Sequence, residues 1–181
     1  MQPEEFRKTV LPEGRRLYAF AFRYLNSRED AEDVVQDVMT KLWETRDTLD
    51  RYQNIPALAT TVTRNMCIDR LRKHKILRFD LYESSEVSKI PEAGIGMISE
   101  SEEASALALR IIQKMDEPYR SAVILRDVEG YSYEEAAEVL ETNVIALRTS
   151  LSRARKYVRE ELNRIYSYGT GENRGTAQKI L

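Results

Sequence analysis

Cysteine and histidine are almost absent from the sequence, with Cys67 and His74 as the single examples. One cysteine cannot form an internal disulfide, and this pair cannot complete a four-ligand zinc site. No apolar run approaches the roughly 18 residues of a membrane span, and Met1–Lys8 has no apolar stretch behind basic residues. We therefore expect a soluble, cytoplasmic protein without a signal peptide, a bound metal or another cofactor.

Glycine and proline are also scarce, at seven and five residues, and apolar residues recur at three- and four-residue steps. Strand alternation and Asn-Gly or Asp-Gly hairpins are missing, so the sequence predicts an all-α fold. Periodicity is lost around Pro91, where serine and glycine accumulate, which predicts a flexible linker between two small domains. The expected organisation is an N-terminal domain over 1–78, a linker over 79–101, a C-terminal domain over 102–166 and a disordered tail over 167–181.

Three helices are predicted in the N-terminal domain, over about 3–25, 28–46 and 56–74. The first is expected to bury its apolar residues: Phe6, Val10, Leu17, Phe20, Ala21 and Leu25. Ser27, followed three residues later by Asp30, has the spacing of a capping box at the start of the second helix. Trp43 lies on the apolar stripe of that helix, so we expect it in the core. The third helix should turn its apolar residues inward: Leu58, Val62, Met66 and Leu71.

The net charge of −2 conceals two basic segments. Six basic residues lie within 64–78 against one acid, and six lie within 142–164 against two, while the intervening 81–104 is acidic. Solvated helix faces are commonly charged, but two basic patches on either side of an acidic connector favour two contacts with a polyanion such as nucleic acid.

The segment Ser132–Leu162 has the pattern of a helix-turn-helix. Ser132 and Glu135 form a second capping-box pattern that opens a short helix, and Asn143 can cap a long one. In the long helix we expect one face to be buried and the other to carry guanidinium and hydroxyl groups, as a recognition helix requires. The residues expected to face inward are Ile145, Leu147, Leu151, Ala154 and Val158.

Several segments together resemble the extracytoplasmic-function sigma factors of bacterial RNA polymerase. The C-terminal ones are similar to the domain that reads the −35 element: 118–121, 125–135 and 151–156. In the N-terminal half, 30–38 with 41–43 resembles the polymerase-binding helix, and 64–72 resembles the −10-reading helix. The resemblance extends over roughly Leu17–Leu162 and implies a promoter-specificity subunit that assists DNA melting and has no enzymatic activity.

The resemblance also implies roles for individual residues. Contacts with the −10 element would come from Arg64, Asn65, Arg70, Arg72 and Lys73. Contacts with the −35 element would come from Arg148, Thr149, Ser150, Ser152, Arg153, Arg155 and Lys156. The clamp helices of the largest polymerase subunit would meet Asp33, Gln36, Asp37 and Lys41. Further implied partners are the flap of the second-largest subunit, promoter DNA and an anti-sigma factor.

This sequence departs from the family pattern at three positions, where many members have tryptophan, glycine and arginine: Leu58, Glu141 and Ser150. Two other functions are also considered. A stand-alone helix-turn-helix repressor or activator would bind duplex DNA without polymerase. A metal-dependent helical hydrolase would use the acidic residues of 29–37, although no histidine accompanies them and no glycine-rich phosphate loop is present.

Overall fold

The computed structural model describes residues 1–82 and 100–169, and every regular element within these ranges is helical. The N-terminal domain comprises α1 (Pro3–Thr9), α2 (Gly14–Leu25), α3 (Arg28–Glu44) and α4 (Ile55–Tyr82). The C-terminal domain comprises α5 (Glu100–Gln113), α6 (Tyr119–Val123), α7 (Tyr133–Val139) and α8 (Val144–Gly169). The predicted all-α, two-domain fold is confirmed. Positions 83–99 of the predicted linker and 170–181 of the predicted tail lie outside the described residues.

The single helix predicted over 3–25 is wrong, because the chain forms two helices there. Pro12 has no N–H group to donate to a helical hydrogen bond, and the chain passes through a 3₁₀ segment, Leu11–Glu13, before α2 begins. Phe6 and Val10 are nevertheless buried as expected, as are Leu17 and Phe20 of α2.

The start of α3 is capped as predicted, although only half of the capping box forms. The Ser27 hydroxyl accepts a hydrogen bond from the Asp30 N–H at 3.2 Å, and Asn26 before it takes a left-handed conformation with φ of 54°. The helix buries Ala31, Val34, Val38 and Leu42. The core position expected for Trp43 is wrong, since this residue is 41% exposed and meets Phe6 only edge-to-face at 5.1 Å.

Helix α4 is longer than expected, and its inward face differs from the prediction. The apolar residues predicted to point inward are only half-buried, while the fully buried positions are small or polar: Ala59, Thr60, Thr63 and Cys67. The reason is that α4 contacts α2 and α3 on one side and α7 of the other domain on another. Small side chains allow the helices to approach closely at this crossing.

The two domains pack directly against each other and share one continuous hydrophobic core. Their boundary also carries polar contacts, some of them buried and some exposed. The Tyr131 and Thr60 hydroxyls are 2.9 Å apart, and the Gln113 amide donates to the Arg23 carbonyl at 3.1 Å. The Asn54 amide donates to the Glu138 carboxylate at 2.8 Å. These contacts fix how the two candidate DNA-binding helices, α4 and α8, are placed relative to each other.

Candidate nucleic-acid interface

Helices α7 and α8 form the predicted helix-turn-helix. Ser132 and Glu135 complete a reciprocal capping box, with bonds of 3.1 and 2.8 Å, and this bonding lowers the pKa of the Glu135 carboxyl. Asn143 caps α8 by accepting from the Ala146 N–H at 2.8 Å. Between the helices, Glu141 has φ of 50°, the left-handed conformation for which the family pattern supplies glycine.

One face of α8 is buried and the opposite face carries the predicted base- and phosphate-binding groups. Leu147, Leu151 and Ala154 are buried, whereas the inward position predicted for Ile145 is wrong, because this residue is 79% exposed. It lies in the first turn of α8, between Asn143 and Ala146, which are also exposed. The exposed candidates on α8 are Arg148, Thr149, Ser152, Arg153, Arg155 and Lys156, while Ser150 is half-buried.

Three of these candidates have hydrogen-bond or ion-pair partners within the domain. Arg155 forms a bidentate ion pair with Asp127, with bonds of 2.9 and 2.6 Å that raise the pKa of its guanidinium. The Thr149 hydroxyl donates to the Ile145 carbonyl at 3.0 Å, and Lys156 lies 3.8 Å from Glu160. Arg155 is therefore part of the domain's own packing, in contrast to Arg153, which no carboxylate of the described residues pairs with.

Some of the candidate residues on α4 are exposed to solvent, whereas others pair with groups on other helices. Asn65, Arg72 and Lys73 are exposed. Arg70 instead lies between two carboxylates of α3, 3.3 Å from Asp30 and 3.4 Å from Asp33. These ion pairs hold α3 against α4, so the candidate polymerase-binding and −10-binding residues lie on adjoining surfaces.

Arg64 is the candidate that the C-terminal domain covers. Its side chain is only 16% exposed; Nε donates to the Ser121 hydroxyl at 2.7 Å, and Nη2 lies 3.2 Å from Glu117. The Tyr24 hydroxyl hydrogen-bonds both Glu117 and, at 2.9 Å, Ser121. Burial first, and then the Glu117 charge, raise the pKa of the Tyr24 phenol. We refer to these four residues, Tyr24, Arg64, Glu117 and Ser121, as the interdomain cluster.

The interdomain cluster is the feature that sequence reasoning missed. Glu117 directly precedes the family-like segment 118–121 and Ser121 is its last residue, but nothing in their spacing indicates a partner in the other domain. Tyr24 was not among the predicted core residues, although it follows Leu17 and Phe20 at helical spacing and is buried.

The candidate polymerase-binding strip is formed on α3. Asp33, Gln36, Asp37 and Lys41 are all exposed, whereas Val34 and Val38 of the same helix are buried. Asp33 is engaged elsewhere, through Arg70.

Within 1–82 and 100–169, no group of three or more histidine, cysteine or acidic residues is arranged to hold a metal ion. Three of the five acidic residues of 29–37 that a hydrolase would need pair instead with basic side chains: Glu32 with Arg28, and Asp30 and Asp33 with Arg70. In the same ranges no helix is long and apolar enough to cross a membrane.

Comparisons with known proteins agree with this geometry. Residues 10–76 match the Sigma-70 region 2 family, and residues 105–158 match the Sigma-70, region 4 family. The ECF RNA polymerase sigma factor SigW of Bacillus subtilis is 26% identical over 160 residues, covering 81% of this chain and 83% of its own. The ECF RNA polymerase sigma-E factor of Escherichia coli K12 is 27% identical over 166 residues and 84% of each chain.

A solved structure supports the same conclusion. The sigma factor RpoE from Bartonella quintana, crystallised with the anti-sigma factor NepR, aligns with a TM-score of 0.66 at 27% identity. The alignment covers 88% of this chain and 98% of that one. Both sigma-70 regions thus occur in the expected order, on two helical domains, and α8 lies in region 4. The chain belongs to the extracytoplasmic-function sigma factors, the transcription initiation factors that direct RNA polymerase to promoters.

Proposed function

We propose that α8 reads the −35 element and α4 the −10 element, while α3 docks on core RNA polymerase. The observation that carries the proposal is the two-sided character of α8, buried along Leu147, Leu151 and Ala154 and exposed along Arg148, Ser152 and Arg153. Arginine can bond guanine bidentately in the major groove, and hydroxyl groups can bond phosphates. On this assignment the functional units are residues 1–78 and 102–166, connected by 79–101.

On α4, Asn65 would capture a base of the opening strand, and Arg72 and Lys73 would hold phosphates. Neutralising phosphates contributes affinity without sequence preference, whereas an amide that meets a base edge adds preference. Capture of an unstacked base costs a few kcal/mol, which binding energy offsets. Arg64 and Arg70 would join these contacts only after leaving Glu117 and the α3 carboxylates.

If α8 and α4 bind the −35 and −10 elements of the same promoter, the two domains have to separate. Elements about 10 and 35 base pairs upstream of the start lie roughly 85 Å apart at about 3.4 Å per base pair. A folded body of about 150 residues is only roughly 40 Å across. The packed arrangement described above therefore cannot touch both elements, and it holds Arg64 against Glu117 and Ser121. Contact with polymerase at the α3 strip and at the C-terminal domain would hold the domains apart.

The chain would act in the cytoplasm, where promoter DNA and polymerase are found, and would have no catalytic activity of its own. Strand opening would draw only on binding energy. An anti-sigma factor is proposed as its regulator, by analogy with the related RpoE, which was crystallised with NepR.

The test is run-off transcription with core RNA polymerase of the same organism on a genomic promoter library. Specific transcripts that require this protein, with shared sequence at −35 and −10, are expected. Tight binding to duplex DNA without polymerase, together with no initiation, would instead favour a stand-alone regulator. A matched pair of variants sharpens the assay: Arg153→Ala should alter −35 preference, and Arg159→Ala, an equal charge change further along α8, should not.

A further inference from the structure

The ring of Tyr133 contacts two arginines, one of which lies on the exposed face of α8. Tyr133 is the first residue of α7, directly after the capping residue Ser132, and it is half-buried. The guanidinium carbon of Arg126 lies 4.2 Å from the centre of its ring, and that of Arg148 lies 4.8 Å away. Both distances fall within the roughly 6 Å range of a cation–π interaction. One ring therefore contacts a half-buried arginine of the same domain and an arginine proposed to read DNA.

Arg126 ties the ring to the rest of the domain. Its Nη1 donates to the Tyr131 carbonyl, two residues before Tyr133. Its Nε is buried without a hydrogen-bond partner in the part of the chain that the structure describes. The aromatic face is thus a main contact of this guanidinium, and the capping box at Ser132 fixes the backbone that carries the ring. The Tyr133 ring that Arg148 contacts is therefore held both by Arg126 and by the capped backbone at the start of α7.

The orientation of Arg148 matters because of how arginine recognises bases. A bidentate bond to guanine requires the planar guanidinium to lie in the plane of the base pair. An exposed arginine on a helix otherwise samples many rotamers, and fixing one of them costs conformational entropy. A ring within cation–π range restricts this sampling before DNA arrives.

Arg148 and Arg155 differ in the group that holds the guanidinium. The carboxylate of Asp127 holds Arg155 through two hydrogen bonds, which satisfy the edge of the guanidinium that a base would need. A ring contacts the face of a guanidinium and leaves the N–H groups at its edge available for bonding. Arg148 thus combines exposure and a restrained orientation with a guanidinium edge that no carboxylate of the described residues pairs with, whereas Asp127 occupies the edge of Arg155.

We propose that Tyr133 is a positioning residue for −35 recognition, and that its ring orients the guanidinium of Arg148 toward one base pair. The proposal rests on the proposed function of α8. A ring that only filled space at the α7–α8 junction would affect folding and would affect all promoters equally.

The experiment measures initiation by the full chain with core polymerase on a promoter library randomised at −35. Arg148→Ala first identifies the base pair whose preference depends on Arg148. Tyr133→Leu should reduce preference at that same base pair by about two- to fivefold. Tyr133→Phe, which keeps the ring, should retain the preference. The double variant Tyr133→Leu with Arg148→Ala should show no further loss beyond Arg148→Ala, because both changes remove one interaction.

The controls separate this role from folding and from the proposed function. Thermal unfolding is followed for every variant, and Tyr133→Met replaces Tyr133→Leu if the latter does not fold. If the base preference depends on Arg148 but is unchanged in Tyr133→Leu, the positioning role of Tyr133 is wrong, while the proposed function of α8 stands. A uniform loss across all −35 sequences would likewise mean a structural role. If the wild-type chain shows no −35 preference, or Arg148→Ala leaves it unchanged, the assignment of α8 itself fails.

Discussion

Arg64 and Glu117 lie in different domains, 53 positions apart in the sequence, and their side chains are 3.2 Å apart. Each also bonds Ser121, so the pair is part of a network and is largely withdrawn from water. A guanidinium held in this way cannot bond a DNA phosphate at the same time. The proposed contact of Arg64 with the −10 element would therefore compete with packing of the domains.

Weakening the contact between Glu117 and Arg64 should favour DNA binding. In Glu117→Gln the charge that holds Arg64 is removed, so we expect a larger fraction of separated domains and a severalfold increase in binding to single-stranded −10 DNA. Fluorescence energy transfer between labels on α1 and α8 would report the separation. Glu5→Gln, the same charge change on an exposed site of α1, should have no effect. Unchanged transfer in Glu117→Gln would show that apolar packing alone holds the domains.

The Thr60–Tyr131 hydrogen bond tests the domain packing independently of charge. Both residues are buried, and burial raises the pKa of the Tyr131 phenol. In a double-mutant cycle, Thr60→Val and Tyr131→Phe should show a coupling of about 0.5–1.5 kcal/mol in the free energy of unfolding. Thr60 also bonds the Pro56 carbonyl, which makes the coupling and not either single loss the diagnostic quantity. Additive losses would mean that the two hydroxyls do not meet in solution.

Arg153 and Arg155, two positions apart on α8, should respond differently to truncation. Arg153→Ala should cost roughly 1–3 kcal/mol of discrimination between −35 sequences, with little change in stability. Arg155→Ala should instead lower the free energy of unfolding, because Asp127 loses its bidentate partner. Transcription from a set of −35 variants and urea denaturation measure the two effects. If Arg153→Ala lowers stability and Arg155→Ala reduces discrimination between −35 sequences, then Arg155 contacts DNA and Arg153 has the structural role.

Glycine at position 141 should stabilise the protein. Glu141 has φ of 50°, a conformation that costs a residue with a Cβ about 1–2 kcal/mol. After allowance for the greater backbone entropy of unfolded glycine, Glu141→Gly should gain up to about 1 kcal/mol in urea denaturation. Glu141→Ala is the matched control, since it removes the side chain but keeps the Cβ, and it should gain little. Equal gains in both variants would mean that the side chain, and not φ, is responsible.

Cys67 should not react with thiol reagents in the folded protein. Burial raises the pKa of its thiol to about 12, so at pH 8 almost none is the reactive thiolate. Labelling at pH 8 is expected only as the N-terminal domain unfolds, and its rate should follow the unfolding measured by circular dichroism. Rapid labelling under native conditions would show that α4 separates from its neighbours locally.

The local features of this fold could be predicted from the sequence because they depend on neighbouring residues. The Ser132–Glu135 capping box and the Asn143 cap use side chains within three residues of the groups they bond. The predictions failed where a helix end or a second contact decided burial. Trp43 and Ile145 both continue an apolar pattern, yet they lie at the last and first turns of their helices, where the neighbouring described elements leave them 41% and 79% exposed.

Family membership, the order of the two domains and the exposed character of α8 therefore followed from the sequence alone, since motifs and periodicity are properties of short segments. The tertiary structure decided which arginines are free. It pairs Arg64 with Glu117, Arg70 with Asp30 and Asp33, and Arg155 with Asp127, and it places Arg148 against Tyr133. Each of these partners comes from another helix or turn, and one comes from the other domain. A basic residue looks the same in sequence whether it faces DNA or a carboxylate, because the partner is selected only when the chain is folded.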